Sequence, residues 1–156
     1  IKLINEKQLH AFIKKNNHQL NKYMIEEFIE GREITVGILD NKICGIMEII
    51  FDSEIYDYKN KYQEIAKHVI NPELSRKIIK KLETLSLKVH SEINCQCISR
   101  LDFRYNEKLN DVFLLEINTQ PGLTQNSLLP EMAKNRGIDF LKLCEIILSN
   151  AKCETI

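Results

Sequence analysis

Glycine and proline are scarce, at 5 and 3 in 156 residues, while hydrophobic residues make up 44% of the chain and charged ones 28%. That balance excludes a disordered or linker-rich chain and fits one ordinary globular domain able to bury a real core. An excess of one charge is also missing, because 22 Lys and Arg offset 22 Asp and Glu. A protein that holds nucleic acid mainly through phosphates needs a broad positive field. No nucleic-acid partner is therefore expected, although a local basic cluster stays open. No apolar run approaches the about 20 residues of a membrane span, and no signal-peptide core precedes a small-residue cleavage site. The chain is expected to be cytoplasmic, with no membrane partner.

Disulfide and zinc frameworks are equally absent. The cysteines, Cys44, Cys95, Cys97, Cys144 and Cys153, are odd in number, and no CxxC pair or neighbouring His gives zinc-ligand spacing. They read as reduced, mostly buried small side chains. Cys95 and Cys97, two apart at a strand entry, share a face. The first residue is Ile1 rather than Met and a helical pattern starts almost at once, so a piece of a longer chain is expected.

What is present organises as helices mixed with short-connected strands. Leu9, Phe12 and Ile13 keep helical spacing within Asn5 to Asn16, with Asn5 as N-cap. Tyr23 to Ile29, Glu33 to Leu39 and Lys42 to Phe51 are rich in β-branched and aromatic residues and read as strands, with turns at Gly31-Arg32 and Asp40-Asn41. Asp52 to Asn71 reads as one long polar loop, a kind that in a compact domain is usually functional or disordered. Pro72 then opens a helix over Glu73 to Ile93, where Leu74, Ile78, Leu82, Leu85, Val89 and Ile93 recur every three or four residues. A hairpin comes next, then a loop Thr119 to Asn126, a short helix from Ser127 to Arg136 capped by Gly137, and a last helix from Asp139 to Ala151. The mixture predicts an α+β fold with a mostly antiparallel sheet flanked by helices.

The hairpin SRLDFRYNEKLNDVFLLEINTQPG, Ser99 to Gly122, carries the chemistry. Alternation puts Arg100, Asp102 and Arg104 on one face and Leu101, Phe103 and Tyr105 on the other. On the return strand Glu116 and Asn118 share a face. If Asp102 stands opposite Glu116, then Arg100 stands opposite Asn118 and the turn spans Glu107 to Asp111. Facing carboxylates are unfavourable unless something positive lies between them. Two acids and an amide oxygen suit Mg²⁺, which takes a few protein oxygens and completes its shell with water and phosphate; such a site implies a nucleotide. The other reading is a solvated face on which Asp102 and Glu116 pair with Arg100 and Arg104. Beyond Asn118, Pro121 and Gly122 make a turn whose N–H groups can meet an oxyanion. Ser127 then opens a helix whose first N–H groups favour a carboxylate, unless it serves only as a cap.

Arg-x-Asp followed by Leu-Glu-x-Asn-Thr-x-Pro-Gly resembles the D-alanine:D-alanine ligases of the ATP-grasp superfamily, specifically their C-terminal portion. IEEFIEGREITV (Ile25 to Val36), YDYKNKY (Tyr56 to Tyr62) and GLTQNSLLP (Gly122 to Pro130) resemble that family's adenine-and-ribose strand pair, mobile active-site loop and second-substrate segment. The resemblance covers nearly the whole chain, in the same order.

It implies that Glu26 accepts from the adenine amino group, that the backbone of Glu27 and Ile29 brackets the base, that Phe28 packs on it, and that Glu33 bonds the ribose. It implies further that Lys61 reaches the ATP phosphates, that Tyr62 orients the first D-alanine and that Tyr56 supports the loop. Asp102, Glu116 and Asn118 would hold two Mg²⁺ ions, with Mn²⁺ as an alternative. Arg100 and the Gly122 N–H would stabilise a tetrahedral adduct, and Ser127 with the Leu128 N–H would hold the second D-alanine carboxylate.

The implied activity is ATP-dependent joining of two D-alanines through an acylphosphate, for peptidoglycan precursors. Residues 1–29 would be the tail of the central subdomain and residues 30–156 the C-terminal catalytic domain. The partners implied are ATP, D-alanine and the missing N-terminal half of the same protein, with a homodimer left open. One departure stands out: after Lys61 and Tyr62 the family often carries a glycine, and Gln63 to Asn71 has none. Tyr62 itself fits alanine better than a hydroxy acid as second substrate. The rival expectations are another ATP-grasp carboxylate-amine ligase, a catalytically incomplete nucleotide-binding fragment, and a plain Ca²⁺- or Mg²⁺-binding structural domain.

Overall fold

The computed structural model describes residues 4–51 and 66–152. Among these described residues five antiparallel strands form one sheet in the order β3-β2-β1-β4-β5. They are β1 (Arg32–Leu39), β2 (Lys42–Ile50), β3 (Lys67–Ile70), β4 (Ile98–Asn106) and β5 (Asp111–Asn118). The helices are α1 (Glu6–Asn16), followed by a 3₁₀ segment Asn17–Lys22, then α2 (Arg76–Glu92), α3 (Leu128–Asn135) and α4 (Phe140–Asn150). The predicted α+β class holds. Among the described residues no helix is long and apolar enough to cross a membrane.

The sheet is covered on both faces, which explains the dense apolar content of β1. Ile34, Val36 and Ile38 join Leu101 and Phe103 beneath Ile78 and Leu82 of α2. Truncating a residue such as Leu82, fully buried, would cost about 2–5 kcal/mol. The opposite face carries Leu39, Met47, Leu129, Met132 and Leu143, where α3 and α4 pack. Gly37 and Gly45 pair directly across β1 and β2. A Cβ on Gly37 would lie 2.8 Å from Leu129 Cδ1, and one on Gly45 would lie 3.0 Å from Met132 Cβ. Their bareness lets α3 approach the strands.

Local signals set most of the boundaries. Asn5 caps α1 in a reciprocal box with Gln8, at 2.9 and 3.0 Å. Asp40 and Asn41, at φ 52 and 58°, make the two-residue turn that joins β1 to β2. Asp139 caps α4 through the Lys142 N–H, and Gly137 leaves α3 at φ 79°. At the end of α2, buried His90 lies 2.7 Å from Ser99 Oγ and 2.9 Å from Asn41 Oδ1. An amide oxygen only accepts, so Nε2 carries the proton and Nδ1 accepts from the serine hydroxyl.

Four expectations are corrected. Tyr23 to Ile29 forms no strand: residues 23–30 are irregular, and Met24 and Phe28 are 81% and 52% exposed. A β segment needs a neighbour for its backbone groups, and no strand among the described residues pairs with this one. The long loop contains a strand instead, since Lys67–Ile70 pairs with Met47 to Ile50 at the sheet edge. Four residues are too few for a readable period. The long helix begins at Arg76, because the Ser75 side chain takes the Ile78 N–H, and Pro72 precedes it without opening it. The hairpin turn is one residue shorter than predicted, because a bulge at Leu115 shifts the register from Asp102–Glu116 to Phe103–Leu114. The extra residue leaves Leu114 and Leu115 both exposed. Cys44 and Cys97 are buried free thiols, with Cys95 and Cys144 half-buried; Cys153 lies outside the described residues.

Candidate active site

One face of the sheet carries a row of polar side chains across β1, β4 and β5. The pairing Glu33–Arg104, Thr35–Asp102 and Gly37–Arg100 links β1 to β4, and Asp102–Glu116 and Arg100–Asn118 link β4 to β5. Directly paired residues project from the same side, so the two carboxylates share a face, with the asparagine one step along. This is the same face on which α3 packs, as Gly37 shows by its approach to Leu129.

The two acids differ in setting. Asp102 is only 8% exposed and is held from two sides. Arg100 donates to it through Nε at 3.0 Å and Nη2 at 2.7 Å, a forked ion pair, and the Thr35 hydroxyl donates at 2.6 Å. Charge-assisted bonds of this kind fix the orientation of the carboxylate. Glu116 is exposed. The salt-bridge reading is thus realised for Arg100 and Asp102 but not for Arg104, which pairs with Glu33 at 3.3 Å. Asn118 turns its Oδ1 to the Gln120 N–H at 3.0 Å, a local turn that presents the amide at the strand end.

The loop then folds back. A Cβ on Gly122 would lie 3.0 Å from Ser127 Oγ, so the turn glycine and the start of α3 are adjacent. Ser127 occupies the N-cap position, yet its side chain makes no capping bond; its hydroxyl instead meets Thr124 N at 3.1 Å and Thr124 Oγ1 at 2.8 Å. The first turn of α3 is thereby left without a side-chain acceptor from its own cap.

Asp102, Glu116 and Asn118 present an all-oxygen set that fits a hard divalent ion. Among the described residues no cluster of three or more His, Cys, Asp and Glu side chains gathers. An ion bound here must therefore complete its shell with ligands from elsewhere, as a phosphate-bound Mg²⁺ does. The remaining predicted residues are only partly brought together. Glu33 lies in the row. Glu26, Glu27, Phe28 and Ile29 lie on the irregular segment, and all but half-buried Ile29 are exposed. Tyr56, Lys61 and Tyr62 lie outside the described residues.

A family model described as D-ala D-ala ligase C-terminus matches residues 1–149. The chain belongs to this family. Similar proteins include the D-alanine--D-alanine ligases of Pelagibacter ubique, 46% identical over 84% of the chain and 43% of the relative, and of Agrobacterium fabrum, 41% identical over 85% and 45%. A crystal structure of D-alanine--D-alanine ligase from Bacillus anthracis complexed with ATP superposes with a TM-score of 0.73, at 24% identity, over 95% of this chain and 47% of that one. The chain spans less than half the length of the relatives it matches.

Within this ligase C-terminal unit, sequence reasoning missed two residues. Thr35 holds Asp102 from the neighbouring strand. Its signal is legible, because Glu33, Thr35 and Gly37 alternate with Ile34, Val36 and Ile38 and so mark a polar face. His68 contacts Glu131 at 2.7 Å across β3 and α3; it falls within a stretch that reads as loop, and nothing in its sequence surroundings marks it.

Proposed function

We propose that this chain is the C-terminal catalytic part of an ATP-dependent ligase that joins two D-alanines, the reaction that supplies peptidoglycan precursors. The observation that carries the reading is the direct pairing of Asp102 with Glu116 and of Arg100 with Asn118 on one face. Membership of the ligase C-terminus family and likeness to a ligase solved with ATP support it. Residues 1–29 then belong to the central subdomain and the rest to the C-terminal domain.

In this reading Asp102, Glu116 and Asn118 would hold Mg²⁺ on the triphosphate, and the metal would supply screening of the phosphate charge. The carboxylate of the first D-alanine takes the γ-phosphoryl group of ATP and ADP leaves. The resulting acylphosphate is attacked by the amino group of the second D-alanine, and phosphate leaves. Negative charge builds on oxygen in both steps. Arg100 and the Gly122 N–H would meet it, and the start of α3, with Ser127 and the Leu128 N–H, would hold the acceptor carboxylate. Glu33 takes the ribose, and Glu26 to Ile29 surround the adenine. The forked bond from Arg100 keeps Asp102 aligned throughout.

The test is ADP formation by the full-length protein in response to D-alanine. D-alanine is expected to trigger it, and Glu116→Gln to abolish it without lowering the melting temperature. A different amino acid as the sole trigger would instead identify another carboxylate-amine ligase. Full activity in Glu116→Gln would remove the metal assignment. These 156 residues alone are expected not to form the dipeptide.

A further inference from the structure

Helix α3 begins at Leu128 with Ser127 as N-cap. Pro130 has no N–H, and the Glu131 N–H is already bonded to Ser127 O at 3.0 Å. The donors left at this end belong to Leu128 and Leu129. In the proposed ligase function, on which the role assigned to His68 below depends, this end receives the acceptor carboxylate. Yet Glu131 sets a second carboxylate in the same turn. A free anion one helical turn from an anion site repels the ligand and competes for the same donors.

The structure shows where that charge is kept. Glu131 Oε2 lies 2.7 Å from Nδ1 of His68, and His68 stands on β3 opposite Ile49, on the face that α3 covers. Both side chains are partly shielded, at 26% and 34% exposure. Nearby, Asn71 Nδ2 donates to Asn135 Oδ1 at 3.4 Å, a second link between the end of β3 and α3. The helix is therefore secured to the sheet edge at both ends, and the carboxylate is directed towards β3.

We propose that His68 is a positioning residue for the acceptor site: it holds the Glu131 carboxylate against β3 and so keeps the first turn of α3 open to the carboxylate of the second amino acid. It touches no substrate and acts through Glu131.

The test is the D-alanine dependence of the full-length ligase, which consumes two molecules and so has two saturating phases. His68→Ala is expected to raise the concentration that saturates the second site about tenfold, with KM for ATP unchanged. Glu131→Gln removes the charge and leaves the second-site constant equal to or below that of the unaltered enzyme. In that background His68→Ala adds nothing. A pair that merely ties β3 to α3 behaves oppositely, with Glu131→Gln also raising the constant, and that result overturns the proposal. An unchanged second-site constant in folded His68→Ala overturns it as well. If His68→Ala does not fold, the direction of the Glu131→Gln effect alone decides. Should the unaltered enzyme join no D-alanine, the functional reading has failed and takes this inference with it; an active enzyme with unresponsive variants defeats the inference alone.

Discussion

Arg100 grips Asp102 two residues further along β4 through a forked pair of hydrogen bonds at 3.0 and 2.7 Å. The partners are successive residues of one strand face and lie across from Asn118 and Glu116. The arrangement balances the charge of a buried carboxylate within the protein itself, which offsets the cost of taking that group out of water.

Thr35 is the third member of that arrangement, and its hydroxyl is fully buried and 2.6 Å from Asp102 Oδ1. Thr35→Val keeps the shape but leaves a buried carboxylate oxygen short of a donor, which costs about 1–3 kcal/mol. Urea unfolding checks this. A change below about 0.5 kcal/mol would mean that Arg100 alone satisfies the acid.

The polar face of the hairpin is readable from sequence because strand alternation is a hard geometric rule: Arg100 and Asp102 share one face, Glu116 and Asn118 share another, and a single register pairs them. The observed turn alone would set Leu115 opposite Asp102, and the bulge restores Glu116 to that place. The bulge at Leu115 escapes, since VFLLEI reads as a smooth apolar strand and nothing marks the residue that is extruded. The stretch before β1 misleads for a different reason. Tyr23 to Ile29 has strand propensity, yet strands are made by pairing, and propensity does not supply a partner. β3 is hidden within a polar stretch because its four residues gain their structure from the edge of β2. Gly37 and Gly45 look like interruptions of two apolar strands, and only the packing of α3 explains them.

The glycine pair yields its own test. Gly45→Ala sets a methyl group 3.0 Å from Met132 Cβ and 3.1 Å from Cγ, overpacking the contact between α3 and the sheet at a cost of about 1–3 kcal/mol. Met132→Ala in the same protein should relieve part of that loss, so the two changes should be non-additive. Denaturation midpoints of the single and double variants measure the coupling. Simple additivity would show that Met132 does not define the gap.

His90 predicts a pH dependence. Burial lowers the pKa of its imidazole from the ordinary 6.5. Between the lowered folded value and 6.5 the unfolded chain binds more protons, so stability falls as pH drops through that window. Above about pH 7 both states are neutral and this contribution is constant. Melting temperature should therefore decline below about pH 6.5, and less steeply in His90→Gln, which lacks the titrating group. Parallel profiles for the two proteins would contradict the assignment.

The most direct test of the central claim is paramagnetic broadening in the isotope-labelled chain. Mn²⁺ added together with ATP should broaden the resonances of Asp102, Glu116 and Asn118 before all others, and Glu116→Gln should remove the effect. Broadening centred on another part of the molecule, or the same broadening in Glu116→Gln, would show that these acids do not share a metal with the nucleotide.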